Sequence, residues 1–260
     1  MEGTAKVNTQ HHDYAAMLDK WQRCRDTVAG QGAVHAAKEK YLPRLKDQDD
    51  QDYNAYNLRA QLFNATWRTI SSLSGMIFRN APQLDIPASV EPFLEDVTMS
   101  GISFHILAQN STIEILTTGR MGILVDYPQQ SVEGLTKADA EKLNLRPTMQ
   151  PYQAETIINW KTSRIGNQTV LSMVVLTEDA ALVTESEFEH KTETRYRVLD
   201  LLNNQYRVRV FRINEKKEDE RDLSCDMQKL KELAQKGDTD AQARLGYNYF
   251  YGSQIIRVGG

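Results

Sequence analysis

An α+β fold is predicted for this chain, helical in its first half and β-rich in its second, with a short helical hairpin at the C-terminal end. Three observations predict it. Apolar residues recur at intervals of three and four through residues 53–78, the period of one helix face. "TRYRVLDL" and "QYRVRVFRI" alternate instead, with Asn203-Asn204 between them, the pattern of a hairpin. The 260 residues are 40% hydrophobic and 25% charged, a globular mix. A chain of this length buries roughly 70–75% of its unfolded surface, enough for one large or two small domains.

The elements follow in order. Residues 13–28 read as a helix, with Tyr14, Met17, Trp21, Cys24 and Val28 on one stripe and Gly30 and Gly32 ending it. "AVHAAKEKYLPRL" gives a short helix stopped by Pro43, and "KDQDDQD" is an acidic connector. The longest helix runs over residues 53–78. Asp52 is placed to cap it, and Tyr56, Ala60, Phe63, Trp67, Ile70, Ser74 and Ile77 form its stripe. Leu62, Leu73 and Met76 widen that stripe, so this helix is expected at the centre of the core. Pro82 disfavours helix just beyond it.

"ASVEPFLEDV" is short, and "GISFHILAQNSTIEILTT" carries Ile102, Ile106, Ile113 and Leu116 on one face. Gly119 is placed as its left-handed C-terminal cap. "MGILVDYP" then leaves as a strand whose continuous apolar run predicts cover on both faces. "AETIINW" is short and amphipathic, and "QTVLSMVVLTE" is a strand. In the hairpin that follows, the alternation is expected to set Arg195, Arg197, Arg207 and Arg209 on one face. Such a face either touches DNA phosphates or an acidic neighbouring subunit, or is the solvated side of a ribbon.

Composition and motifs exclude more than they assign. The net charge of −4 argues against a general nucleic-acid clamp, though not against a pore through which DNA slides. Cys24 and Cys225 form no C-x-x-C pair, which removes a zinc or redox motif and fits a reducing compartment. The polar N-terminus is no secretory signal, and no stretch has the roughly 20 apolar residues of a spanning helix. "GQGAVH" follows a helix and lacks a third glycine, so it is no phosphate loop. No G-x-S-x-G elbow occurs. His11, His12, Asp13 and His35 are the only local histidine cluster, and an adjacent His-His in a polar terminus reads as solvent-exposed rather than metal-binding. Asp126 and Glu178 end apolar strands where a catalytic acid can sit, but neither shows a titratable partner in sequence. No cofactor, metal or catalytic residue is assigned.

Six segments taken in order resemble the phage portal-like family of tailed phages and prophages. They are "HHDYAAMLDKWQRCRDTVAGQGAVHAAKEKYLPRL", "YNLRAQLFNATWRTISSLSGMIFRNAP", "GISFHILAQNSTIEILTTGRMGILVDYP", "RPTMQPYQAETIINW", "LSMVVLTED" and "TRYRVLDL", over residues 11–213. The resemblance implies a portal wing-like mixed region with a long central helix. Trp67, Phe63, Gly119, Asp126, Tyr127, Pro128 and Trp160 are then structural framework, with Asp126 and Tyr127 fixing the turn after their strand. It also implies a non-enzymatic subunit of a ring, usually of twelve, at the capsid vertex of a virion assembled in the bacterial cytoplasm. Terminase, capsid and head–tail adaptor proteins are the implied partners. Double-stranded DNA is packaged and ejected through the ring without sequence-specific contact, and no membrane is involved.

Family members are longer. In place of their returning segment, "LKELAQKGDTDAQARLGYNYFYG" resembles one Sel-one-like repeat of the tetratricopeptide type, with Ala234, Gly237, Asp238, Leu245, Gly246 and Tyr249 on the pattern. A single such unit cannot bury its own apolar face. The expected organisation is a portal-like domain over 1–213, a charged linker over 214–226 and a helical-hairpin tail over 227–260. A chain so organised is expected to form open assemblies by itself rather than closed rings. The rival readings are a protein–protein adaptor working through the tail and an enzyme using Asp126 or Glu178.

Overall fold

A computed structural model describes residues 6–126, 145–182, 188–202, 205–214 and 219–222. Tyr127, Pro128, Asn203, Asn204, Cys225 and the repeat-like tail lie outside the described residues. The protein is α+β. Among the described residues it has five α-helices, a two-stranded sheet and a five-stranded sheet. It divides into a helical unit, Ala15–Asp96 with Gly101–Met121, and a β-rich unit, Met1–Tyr14 with Val97–Ser100 and Gly122–Gly260.

The helical unit contains α1 (His12–Ala29, its first turn in the β-rich unit), α2 (Gln31–Ala36), α3 (Asp50–Arg59), α4 (Ala65–Ile77) and α5 (Phe104–Thr118). Trp21 of α1 is buried and its indole N–H donates to the Thr118 carbonyl at 3.1 Å. One turn on, Arg25 forms a two-pronged ion pair with Glu114 of α5. As expected, α1 stops before Gly30, whose φ of 90° favours glycine. Gly119 caps α5 in the left-handed region, at φ 76°.

The expected helix over 53–78 is two helices. Ala60 turns extended, at ψ 130°, and ends α3. Asn64 then starts α4, its side-chain oxygen accepting from the Trp67 N–H at 2.9 Å while its amide donates to the Val28 carbonyl at 2.9 Å. The start of α3 is capped by Asp49 rather than Asp52, whose own N–H is the group being bonded. On α4 only Ile70 and Ser74 are buried. Trp67 is 42% exposed and Phe63, in the break, 75% exposed, so neither sits at a core centre in this chain. The buried line of α5 is Leu107, Ser111 and Thr118, leaving Ile106 and Leu116 outward.

In the β-rich unit β1 (Met121–Asp126) pairs with β2 (Thr148–Gln153). A five-stranded antiparallel meander runs β3 (Ile157–Ile165), β4 (Gln168–Leu182), β5 (Lys191–Leu202), β6 (Gln205–Asn214) and β7 (Asp219–Asp222). Strand β7 falls inside the segment expected to be linker. "AETIINW" forms a short turn, Ala154–Thr156, that leads into β3. Thr148, Gln150 and Tyr152 alternate inward on β2, with Pro151 exposed. Tyr152, Ile157 and Leu176 form one buried core cluster, with Leu124, Val174 and Leu199 packed against it. Strand β1 is covered on one face only, since Ile123 and Val125 are exposed.

Candidate functional site

The hairpin register decides where the arginines go. Residues directly opposite in an antiparallel pair share a face. Arg195 faces Arg212 and Arg197 faces Val210, whereas Arg209 faces Val198 and Arg207 faces Asp200. The two arginine pairs therefore lie on opposite faces of the sheet, and the expected four-arginine face does not form.

Arg197 is 2% exposed. Its Nε donates to Glu178 Oε1 at 2.6 Å and its terminal nitrogen to Glu178 Oε2 at 3.1 Å. The Tyr152 hydroxyl donates to the same Glu178 oxygen as the Arg197 Nε. Glu178 thus accepts three bonds, with both oxygens engaged. Burial opposes the charge on Arg197, but the bonds to Glu178 and its negative charge outweigh this and hold the guanidinium pKa above its ordinary value, with Tyr152 and Asp126 adding to it. Burial first, and then Glu178, push the Tyr152 hydroxyl far above its usual range. Burial and the charge of Asp126 likewise raise Tyr206. Asp126, Tyr152, Glu178, Arg197 and Tyr206 therefore constitute one electrostatically coupled cluster on the core face of the sheet.

The remaining arginines are bridged by carboxylates. Glu193 accepts from Arg195 at 2.7 Å and from Arg212 at 3.3 Å, bridging two arginines that face each other and offsetting part of their charge. On the other face Asp200 accepts from Arg207 at 2.9 and 2.6 Å and from Arg209 at 2.7 Å. The bond from Arg207 chiefly, against burial and with help from Arg209, keeps the Asp200 carboxyl below its usual pKa. Sequence reasoning missed Glu193 and Asp200 as partners, although both stand within the hairpin strand itself.

Trp160 lies under the His11 ring, their centroids 4.0 Å apart. His11, His12 and Asp13 come together at the start of α1, with donor atoms within 4.8 Å of one another. His35 is not among them; its Nε2 lies 2.7 Å from the Ala60 carbonyl oxygen.

The helical unit carries a different kind of surface. Helix α4 has one charged residue, Arg68, and α5 has only Glu114 besides His105. Glu114 is already paired with Arg25. Trp67, Met76 and Ile77 on α4, Phe63 just before it, and Ile106 and Ile115 on α5 are all exposed.

The chain matches no model of a known protein family, and a comparison with curated proteins found no match. Among the described residues no helix is long and apolar enough to cross a membrane.

Proposed function

We propose that this chain is a structural, non-enzymatic subunit that assembles head-to-tail with copies of itself, in the manner of a tailed-phage or prophage portal. One observation carries the reading. The α4 and α5 helices are almost free of charge and keep large apolar side chains at the surface. Patches of that kind on a water-facing protein mark interaction sites. The two acids that an enzyme reading needs are a poor fit to it. Glu178 spends both oxygens on Arg197 and Tyr152, and Asp126 belongs to the same cluster around Arg197. In the portal reading the ring stands at the capsid vertex of the virion, its partners are terminase, capsid and adaptor proteins, and DNA passes through it.

Sedimentation velocity and negative-stain microscopy of the full chain test this. A ring-forming contact joins two different surfaces and adds one subunit at a time. Mass rising in single-subunit steps, with arcs in the images, is expected. Phe63→Ser with Met76→Ser should return the chain to monomer with an unchanged circular-dichroism spectrum. A wild-type chain that stays monomeric at about 100 µM, or stops at a two-fold dimer, overturns the reading.

A further inference from the structure

We infer that His11, His12 and Asp13 form a binding site for a late first-row divalent metal ion, of the class of Zn2+, Ni2+ or Cu2+. The inference does not depend on the portal reading. His12 Nε2 lies 3.1 Å from Asp13 Oδ1, and His11 Nδ1 lies 3.6 Å from Asp13 Oδ2. Two donors each about 2.1 Å from a tetrahedral ion stand roughly 3.4 Å apart; each imidazole stands near that distance from one Asp13 oxygen, and all three donor atoms lie within 4.8 Å of one another, close enough to close on one ion. Imidazole nitrogens and one carboxylate suit this class of metal, whereas magnesium and calcium prefer all-oxygen sites.

His11 is held before any metal arrives, and the exposed His12 and Asp13 side chains turn to meet the ion. The His11 backbone N–H donates to the Ile158 carbonyl at 2.9 Å, and Asn159 holds the Thr9 carbonyl at 2.8 Å, fastening this segment to the start of β3. The His11 ring is sandwiched between Trp160, at 4.0 Å, and His12, at 4.3 Å. The Asp13 N–H donates to His11 Nδ1 at 3.2 Å. That bond requires a lone pair on Nδ1, which leaves this nitrogen in the state that ligates metal. At 3.2 Å the bond is long enough to be exchanged for a metal bond. The positive end of α1 opposes a cation, and the Asp13 carboxylate offsets it, so moderate affinity is expected. His12 and Asp13 are exposed, leaving the other coordination positions to water or to a donor from another molecule.

Trp160 provides the readout, because a paramagnetic ion on His11 sits beside its ring. The untagged full chain is titrated with Ni2+ or Cu2+ while tryptophan emission is followed, with Zn2+ as competitor and calorimetry for stoichiometry. Saturable quenching at one ion per chain is expected. Trp160→Phe should abolish most of the quenching but keep the calorimetric binding. His12→Ala and Asp13→Asn should each weaken binding about tenfold or more. Both positions are exposed, so the variants should keep the wild-type circular-dichroism spectrum. No saturable binding below about 1 mM, or variants that bind as tightly as the wild type, would overturn the site.

Discussion

Arg197 is the residue on which the β-rich unit turns. A guanidinium 2% exposed is tolerable because Glu178 accepts two of its bonds, and Tyr152 donates to the same carboxylate. Removing one partner leaves a buried charge uncompensated, at a typical cost of about 3–5 kcal/mol. Arg197→Met and Glu178→Gln should therefore each be strongly destabilising in chemical denaturation. The double variant should lose well under the sum of the two. Single effects that simply add would show that the pair is not coupled. The placing of these arginines was within reach of the sequence. The register sets Leu202 opposite Gln205, so every facing pair joins an even-numbered residue to an odd one. Odd-numbered arginines on the two strands must then point to opposite faces. Alternation along each strand is legible in the sequence; the parity between the two strands decides the faces. The burial of Arg197 was not legible, because it depends on Tyr152, which reaches Glu178 from another sheet.

At the scale of elements, periodicity located the helices but not the break between α3 and α4. The apolar stripe continues across residues 60–64, which contain neither glycine nor proline. The break is made by Asn64, whose side chain joins the end of α1 to the start of α4. The junction is tight, since a Cβ added to Gly30 would lie 2.9 Å from Asn64 Nδ2. Asn64→Ala removes a helix cap, worth about 1 kcal/mol, together with the bond to Val28. A loss of roughly 1–2 kcal/mol is expected in thermal or urea unfolding. Asn64→Asp keeps the acceptor for Trp67 and should recover part of that loss. Equal loss in both variants would assign the effect to the amide–Val28 bond alone. Gly119 and the β1 strand were legible because their cues are local: a left-handed cap and an apolar run. The open face of β1 was not, since Ile123 and Val125 read in sequence like any buried pair.

For the whole molecule, the order of helices before strands was readable from the change of period. The recruitment of Val97–Ser100 into the β-rich unit was not, since it rests on bonds such as Gln150 to the Thr98 carbonyl, 52 positions apart. The same scale governs the expected behaviour toward DNA. Counterion release requires cations free to replace those condensed on the phosphates. Here Arg195 and Arg212 share Glu193, Arg197 holds Glu178, and Arg207 and Arg209 share Asp200. The net charge of −4 adds a general repulsion. The proposed portal reading calls for a conduit through which the duplex slides without sticking, and a weak affinity is what that reading expects. Fluorescence anisotropy with a short labelled duplex should give a dissociation constant no tighter than about 10⁻⁴ M at physiological salt, the weak end of non-specific binding. Arg207→Ala with Arg209→Ala should lower stability, by stranding Asp200, and leave that weak affinity where it was. Sub-micromolar binding that falls steeply between about 50 and 200 mM salt would instead require a basic stripe at work in solution, and carboxylate-paired arginines would then be the wrong description of how these side chains are used.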